Sequence, residues 1–142
     1  MQINGPTARL PQAAGKREVL HEDWPQEVKE LSSQIRTLRG DSPEVMKAFG
    51  NMAAAATATK ALDTKTKELI ALGIAVAIRC DDCIAFHVKA ALQNGASREE
   101  VIETLGMAIY MGAGPSVMYA THALDAFTQF AAASAQPVAN VP

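Results

Sequence analysis

The segment DTKTKELIALGIAVAIRCDDCIAFHVKAALQNG, residues 63–95, decides the fold of this chain. Its first half is almost continuously apolar, and its second half opens with a C-x-x-C motif. Helix-starting and helix-ending residues at its two ends predict two consecutive helices, at 65–79 and about 81–93. Apolar residues cover nearly the whole circumference of the first helix, which predicts a buried central helix.

The second helix carries the only two cysteines of the chain, Cys80 and Cys83, followed by His87. At about 100° per residue, the three side chains fall within roughly 60° of one another on one helix face. Two thiols a turn apart can close a disulfide, and the imidazole can take or donate a proton. The motif therefore indicates a redox site or a metal site.

The composition predicts an all-α fold of one domain. Apolar residues make up 49% of the 142 residues and aromatic residues only 5%, which suits close-packed helices better than a β-sandwich. We expect an N-terminal arm at 1–22, a helical domain at 23–134 and a mobile tail at 135–142. Trp24-Pro25 indicates the start of the first helix, and Pro43 the start of a second that runs to about Lys60. A capping box at Ser97–Glu100 indicates a further helix, which breaks at Gly112–Pro115 before a last one.

Charge and hydropathy exclude several classes of partner. The net charge is −2 with no basic run, so neither nucleic acid nor an anionic membrane is an expected partner. The N-terminus has no apolar signal region, and the longest apolar run is too short to span a bilayer. We expect a cytoplasmic protein, where a C-x-x-C is more often catalytic or metal-binding than a structural disulfide.

Opposing effects act on the thiols. Cys80 adjoins a helix N-terminus, where free N–H groups and the helix dipole stabilise a thiolate. Asp81 and Asp82 oppose this effect, because like charges disfavour ionisation. The sequence leaves open which effect prevails.

His87 and Glu68 each have two interpretations. His87 can exchange a proton with a thiol, or it can be an ordinary core histidine. Glu68 lies in the apolar helix, either as a first-turn acid paired with Lys65 or as the far end of a proton relay. Glu68 lies ~18 Å before Cys80 and His87 ~10 Å after it along the helices. Contact therefore requires an oblique crossing, a bridging water or a second subunit.

The cysteines also allow readings without redox chemistry. They can be two small buried hydrophobic residues. Alternatively, Cys80, Cys83, His87 and Glu68 can enclose a tetrahedral Zn²⁺, although ligands on one helix are crowded and no second ligand pair follows.

Three blocks of sequence together resemble a known family. They are Lys67-Glu68-Leu69-Ile70, the motif Cys80-x-x-Cys83-x-x-x-His87, and Asn94-Gly95-Ala96-Ser97-Arg98-Glu99-Glu100-Val101. This pattern, with the downstream Met111-Gly112-Ala113-Gly114-Pro115, resembles the alkylhydroperoxidase D (AhpD-like) branch of the carboxymuconolactone decarboxylase superfamily. The resemblance covers about residues 63–127.

The resemblance implies an AhpD-like helical bundle that acts as a thiol peroxidase or disulfide oxidoreductase on organic hydroperoxides. Cys83 would attack the peroxide and pass through a sulfenic acid, and Cys80 would resolve it as a disulfide. His87 and Glu68 would form the proton relay. No cofactor and no resident metal are predicted.

The resemblance also implies partners. The electron donor would be a dithiol, such as a dihydrolipoamide-bearing or thioredoxin-like protein, with a peroxiredoxin as a further partner. The best-known members contain two tandem units and this chain contains one, so a homotrimer or homohexamer is expected.

One departure from the family pattern bears on activity. Members tend to carry a histidine before the second cysteine, where this chain has Asp82. An added negative charge disfavours the thiolate, and a general disulfide reductase tolerates it more easily than a peroxidase.

Two alternatives to a thiol oxidoreductase remain. The protein can be a decarboxylase-like lyase, or a non-catalytic zinc-binding or assembly module.

Other residues carry less information. His122 is expected in the core or at the surface rather than in a cavity, and Met107, Met111 and Met118 are expected to fill a core or an interface. Tyr110 and Tyr119 are candidates for lining an access channel, and His21 falls in the arm.

Overall fold

The computed structural model describes residues 23–135, which form five α-helices and no strand. The all-α prediction is therefore confirmed. The helices are α1 (Trp24–Asp41), α2 (Pro43–Thr57), α3 (Thr64–Ile78), α4 (Asp81–Gln93) and α5 (Arg98–Ala135). The predicted arm at 1–22, and the predicted tail beyond residue 135, lie outside the described residues. No helix within 23–135 is long and apolar enough to cross a membrane.

The helix starts follow the sequence signals. The Asp63 carboxylate accepts a 2.7 Å hydrogen bond from the Thr66 N–H at the start of α3. Hydrogen bonds from the side chain and the backbone N–H of Thr66 lower the pKa of Asp63. The capping box at the start of α5 is confirmed, because Ser97 and Glu100 exchange backbone-to-side-chain hydrogen bonds of 2.8 and 3.2 Å. The predicted end of α2 near Lys60 is too late, since the helix ends at Thr57.

The core lies where α3, α4 and α5 pack together, with Trp24 of α1 closing one side. Leu72 and Val76 of α3 are fully buried there, whereas Ile74 on the same helix is 55% exposed. Burial of α3 around its whole circumference was therefore wrong for the single chain. Its neighbours cover one side of the helix, and the isoleucines of the other side remain open.

Helix α2 contributes nothing to this core. None of its 15 residues is buried, and its large apolar side chains Val45, Phe49 and Met52 are exposed. Their spacing of four and three residues places them on one face of the helix. The molecule thus has a second apolar surface besides the open side of α3.

The predicted break in the long C-terminal helix is confirmed at Ala113, whose φ of 53° and ψ of −146° are not helical. At Gly112, an added Cβ would collide with the side chain of Ser116. Glycine at this position therefore permits the close approach of the two parts of α5. The break sets the direction of the second part, which carries His122.

Candidate redox site

The two cysteines lie at the junction of α3 and α4. Helix α3 ends at Ile78, and its C-cap Arg79 adopts a left-handed conformation with φ of 63° that turns the chain back. Cys80 then occupies the N-cap of α4, where serine or aspartate is usual. Its Sγ accepts a hydrogen bond from the backbone N–H of Cys83 at 3.2 Å. The turn thus places one sulfur at a helix N-terminus.

Cys80 and Cys83 form a disulfide across this first turn, with their Cα atoms 5.2 Å apart. This separation lies within the range that disulfides ordinarily adopt. The backbone therefore already brings the sulfurs together. Both residues are partly buried rather than enclosed in the core.

Glu68 and His87 meet directly within one chain. The Oε2 atom of Glu68 lies 2.7 Å from Nδ1 of His87. The sequence left open an oblique helix crossing, a bridging water or a second subunit. The structure shows direct contact between the neighbouring helices α3 and α4. A carboxylate only accepts hydrogen bonds, so Nδ1 of His87 carries the hydrogen of this bond. Nε2 of the neutral ring is then the nitrogen available as a base.

The two members of this pair differ in exposure. The Glu68 side chain is 9% exposed and that of His87 is 33% exposed. A buried carboxylate that holds an accessible imidazole is the arrangement that orients a histidine for proton transfer. The contact is consistent with the Glu68–His87 step of the relay interpretation.

The alternative partner considered for Glu68 is engaged elsewhere. Lys65 Nζ lies 2.6 Å from Glu100 Oε1, which links the start of α3 to the start of α5. Hydrogen bonding between the two raises the pKa of Lys65 and lowers that of Glu100. Pairing of Lys65 with Glu68 was thus a wrong alternative.

The sequence analysis missed a second carboxylate–histidine pair. His122 Nδ1 of α5 lies 2.7 Å from Asp81 Oδ1, the first residue of α4. The His122 ring also lies against Tyr119, with the ring centroids 5.0 Å apart. The two paired residues are 41 positions apart in sequence, and no local pattern connects them.

Asp81 and Asp82 are therefore in different surroundings. Asp81 is held by an imidazole, whereas Asp82 is exposed at the second position of the helix. Only Asp82 stands at the position where the resembled family tends to carry a histidine.

The arrangement gives no support to a zinc site. Within residues 23–135 no group of three or more histidine, cysteine, aspartate or glutamate side chains is placed to hold a metal ion. The four residues proposed as ligands are engaged in two separate contacts, one between the sulfurs and one between Glu68 and His87.

An apolar groove of about 450 Å³ lies between α3 and α5, apart from the cysteines. Ile70, Ile74, Met107 and Met111 are among its lining residues. Both methionines are exposed, as is Met118, so none of the three fills the core. Tyr110 is also exposed, and the Tyr119 ring packs against His122.

Comparison with known proteins places the chain in a family. The sequence model of the carboxymuconolactone decarboxylase family matches residues 43–126. The match covers more than half of the chain and includes both cysteines, Glu68, His87 and His122. The chain belongs to the carboxymuconolactone decarboxylase family, the superfamily that includes the AhpD-like proteins.

Relatives of known sequence extend the comparison. An uncharacterized protein of Cupriavidus necator is 43% identical over 98 residues, which cover 69% of this chain and 87% of the relative. An uncharacterized protein of Haemophilus influenzae is 37% identical over 106 residues, covering 75% and 94%.

Solved structures share the fold. A carboxymuconolactone decarboxylase family protein of Legionella pneumophila is 50% identical with a TM-score of 0.74, covering 75% of this chain and 96% of that one. A family member from Thermotoga maritima is 29% identical with a TM-score of 0.70, covering 76% and 92%. The Thermotoga protein is described as a candidate for involvement in the antioxidative response.

Proposed function

We propose that this protein is a thiol-dependent peroxidase and disulfide oxidoreductase that reduces organic hydroperoxides through Cys80 and Cys83. The observation that carries the proposal is the buried Glu68 bonded to His87, one turn beyond a cysteine pair whose sulfurs are joined. Membership of a family that includes the AhpD-like proteins supports it.

In the reduced protein, His87 takes the proton of the Cys83 thiol, and the thiolate attacks the terminal oxygen of the hydroperoxide. The O–O bond breaks, Cys83 becomes a sulfenic acid, and the departing alkoxide leaves as the alcohol with the proton from His87. Glu68 stabilises the imidazolium formed in between. The sulfur loses two electrons, and the peroxide gains them.

The Cys80 thiol then attacks the sulfenic sulfur, a disulfide forms, and hydroxide leaves as water. The disulfide in the structure corresponds to this oxidised state. A dithiol donor, such as a dihydrolipoamide-bearing or thioredoxin-like protein, returns the pair to two thiols and is itself oxidised to a disulfide. A peroxiredoxin is a further candidate partner that would accept these electrons.

Replacement of each cysteine in turn tests the proposal. Cys83→Ser is expected to abolish reduction of cumene hydroperoxide by dihydrolipoamide, measured as consumption of the peroxide. Cys80→Ser is expected to retain one round of oxidation and to accumulate a sulfenic acid at Cys83, detected by dimedone labelling. Unchanged turnover in Cys83→Ser would contradict the proposal.

A substitution at Asp82 tests whether the protein acts mainly as a peroxidase or as a disulfide reductase. Its exposed negative charge beside Cys83 disfavours the attacking thiolate, so Asp82→His is expected to raise peroxidase turnover more than reduction of a small disulfide. Equal changes in both activities would show that this charge does not select between them.

The lyase alternative is kept open by the activity for which the family is named. Decarboxylation of a carboxymuconolactone needs no thiol, so a Cys80→Ser, Cys83→Ser double variant would retain it. Detection of that turnover in the double variant would replace the redox proposal.

We also propose that the chain forms a homo-oligomer, a trimer or a hexamer. Large apolar side chains remain exposed on α2 and on the open side of α3, among them Phe49 and Ile74. Clustered exposed apolar side chains ordinarily mark an interaction surface. Light scattering is expected to give three or six times the 15.0 kDa chain mass. The mass of a single chain, both for the parent protein and for Ile74→Glu, would contradict the proposal.

A further inference from the structure

Two carboxylates follow Cys80 directly, and both oppose a thiolate there. Asp81 is the first residue of α4 and Asp82 the second. The backbone N–H of Cys83 has the opposite effect: it donates to the Cys80 sulfur at 3.2 Å and would stabilise a negative charge there. The net effect depends on how much of the carboxylate charge reaches the sulfur.

His122 alters this balance for one of the two carboxylates. An ionised carboxylate only accepts hydrogen bonds, so the 2.7 Å contact has His122 Nδ1–H donating to Asp81 Oδ1. The donor draws the negative charge of Asp81 toward α5. Within residues 23–135, no histidine contact of this kind is formed with Asp82, which is exposed.

The position of His122 is fixed by packing rather than by chance contact at the surface. Its side chain is 21% exposed, its ring contacts Tyr119, and the next residue, Ala123, is fully buried. A histidine held in this way stays beside Asp81 without a large loss of side-chain entropy.

We infer that His122 is a positioning residue of the redox site: by holding Asp81 it offsets the charge next to Cys80 and favours the thiolate of that cysteine. The inference deepens the proposed function, since it assumes only that the cysteine pair is redox-active. A thiolate exists in the reduced pair and not in the disulfide. His122 therefore also raises the reduction potential of the pair.

The test is a double-mutant cycle on the reduced full-length protein at one neutral pH. His122→Phe keeps an aromatic ring beside Tyr119 and removes the donor, and His122→Leu, measured in parallel, removes the donor without adding volume. Each is combined with Asp81→Asn and, as the matched control, with Asp82→Asn. The readouts are the alkylation rate of Cys80 by iodoacetamide, resolved by mass spectrometry, and the reduction potential in glutathione buffers.

Loss of the donor is expected to slow alkylation of Cys80 about threefold to tenfold, because a thiolate disfavoured by up to one pKa unit is up to tenfold less populated. The reduction potential should become more negative. Asp81→Asn should restore the rate in the His122 variants and change it little in the parent protein. Asp82→Asn should speed alkylation by the same factor in both backgrounds. His122→Asn, whose amide N–H can take the place of Nδ1–H, should rescue part of the rate.

Equal effects of Asp81→Asn in both backgrounds would overturn the inference and leave the pair a purely structural contact. A fall in thermal stability without a change in potential would have the same meaning. No peroxide enters this experiment, so a peroxidase assay that fails leaves its result intact. Conversely, an absent coupling would leave the peroxidase proposal standing on the Cys83→Ser result.

Discussion

The two carboxylate–histidine pairs of this site have opposite patterns of burial. In the pair between α3 and α4 the carboxylate is buried and the imidazole is the more exposed member, at 9% for Glu68 and 33% for His87. In the pair between α4 and α5 the histidine is the more buried member, at 21% for His122 and 35% for Asp81. Both have the same 2.7 Å contact distance.

This difference separates two roles for the same chemical group. A buried carboxylate leaves the ring of His87 accessible, as a proton carrier requires. A more deeply placed imidazole instead holds the Asp81 carboxylate at the start of α4. We therefore expect the first pair to act in turnover and the second to act on the thiols before turnover begins.

The largest expected effect is on turnover when the first pair is broken. Glu68→Gln removes the carboxylate that orients His87, and peroxidase kcat/KM should fall by about 100-fold or more, the scale of general acid–base catalysis. The matched variant Asp81→Asn should stay within a few-fold of the parent protein. Similar losses in the two variants, in a peroxide-consumption assay, would remove the distinction between the pairs.

The packing beneath the first pair should be the more sensitive to truncation. Leu72 lies one turn beyond Glu68 and is fully buried, so Leu72→Ala should lower the free energy of unfolding by about 2–5 kcal/mol. Ile74→Ala, on the open side of the same helix, should change it by about 0.5 kcal/mol or less in dilute protein. Urea denaturation of both variants measures the contrast, which comparable losses would refute.

The second pair can be disturbed through the break in α5 without touching either of its members. Gly112→Ala places a Cβ against the Ser116 side chain, and this overpacking should cost about 1–3 kcal/mol of stability. It should also displace His122 and slow alkylation of Cys80, with no effect on the Glu68–His87 contact.

Gly106 supplies the control for this prediction, because a Cβ there meets nothing within 4 Å. Gly106→Ala should raise stability by about 0.5–1 kcal/mol through helix propensity. A Gly112→Ala protein that keeps the parent stability and Cys80 reactivity would show that the break does not position His122.

The smallest effect is expected at the surface pair of Lys65 and Glu100. This pair lies outside the site and serves as a reference for the two carboxylate–histidine pairs. Its hydrogen bonds lower the pKa of Glu100, so its stabilising contribution is present above the ordinary glutamate range and is lost as pH falls through the lowered pKa. Glu100→Gln should slightly destabilise the protein at neutral pH, and the difference should disappear in acid. Thermal unfolding against pH measures it, and a difference that grows in acid would contradict the sign.

The sequence predicted the elements of this fold well, because most helix starts are coded locally, although the end of α2 was predicted too late. Asp63, the Ser97–Glu100 box and the glycines around residue 113 act within a few residues of themselves, and the structure places helix boundaries at each. The extent of α3 burial was not predictable in this way. Apolar character shows that a surface avoids water, but not whether its own chain covers it.

In the candidate site, too, local sequence predicted some features and only the packing of the helices decided others. Cys80, Cys83 and His87 lie within eight residues of one another, so their spacing alone placed them together. Glu68 was already a candidate as a carboxylate in an apolar helix, and the family resemblance favoured its interpretation as part of the relay. The structure decided that Glu68 reaches His87 directly, since that contact depends on how α3 and α4 cross. It alone revealed His122 beside Asp81, because a contact between residues 41 positions apart is made by the packing of α5 and leaves no periodic trace in the chain.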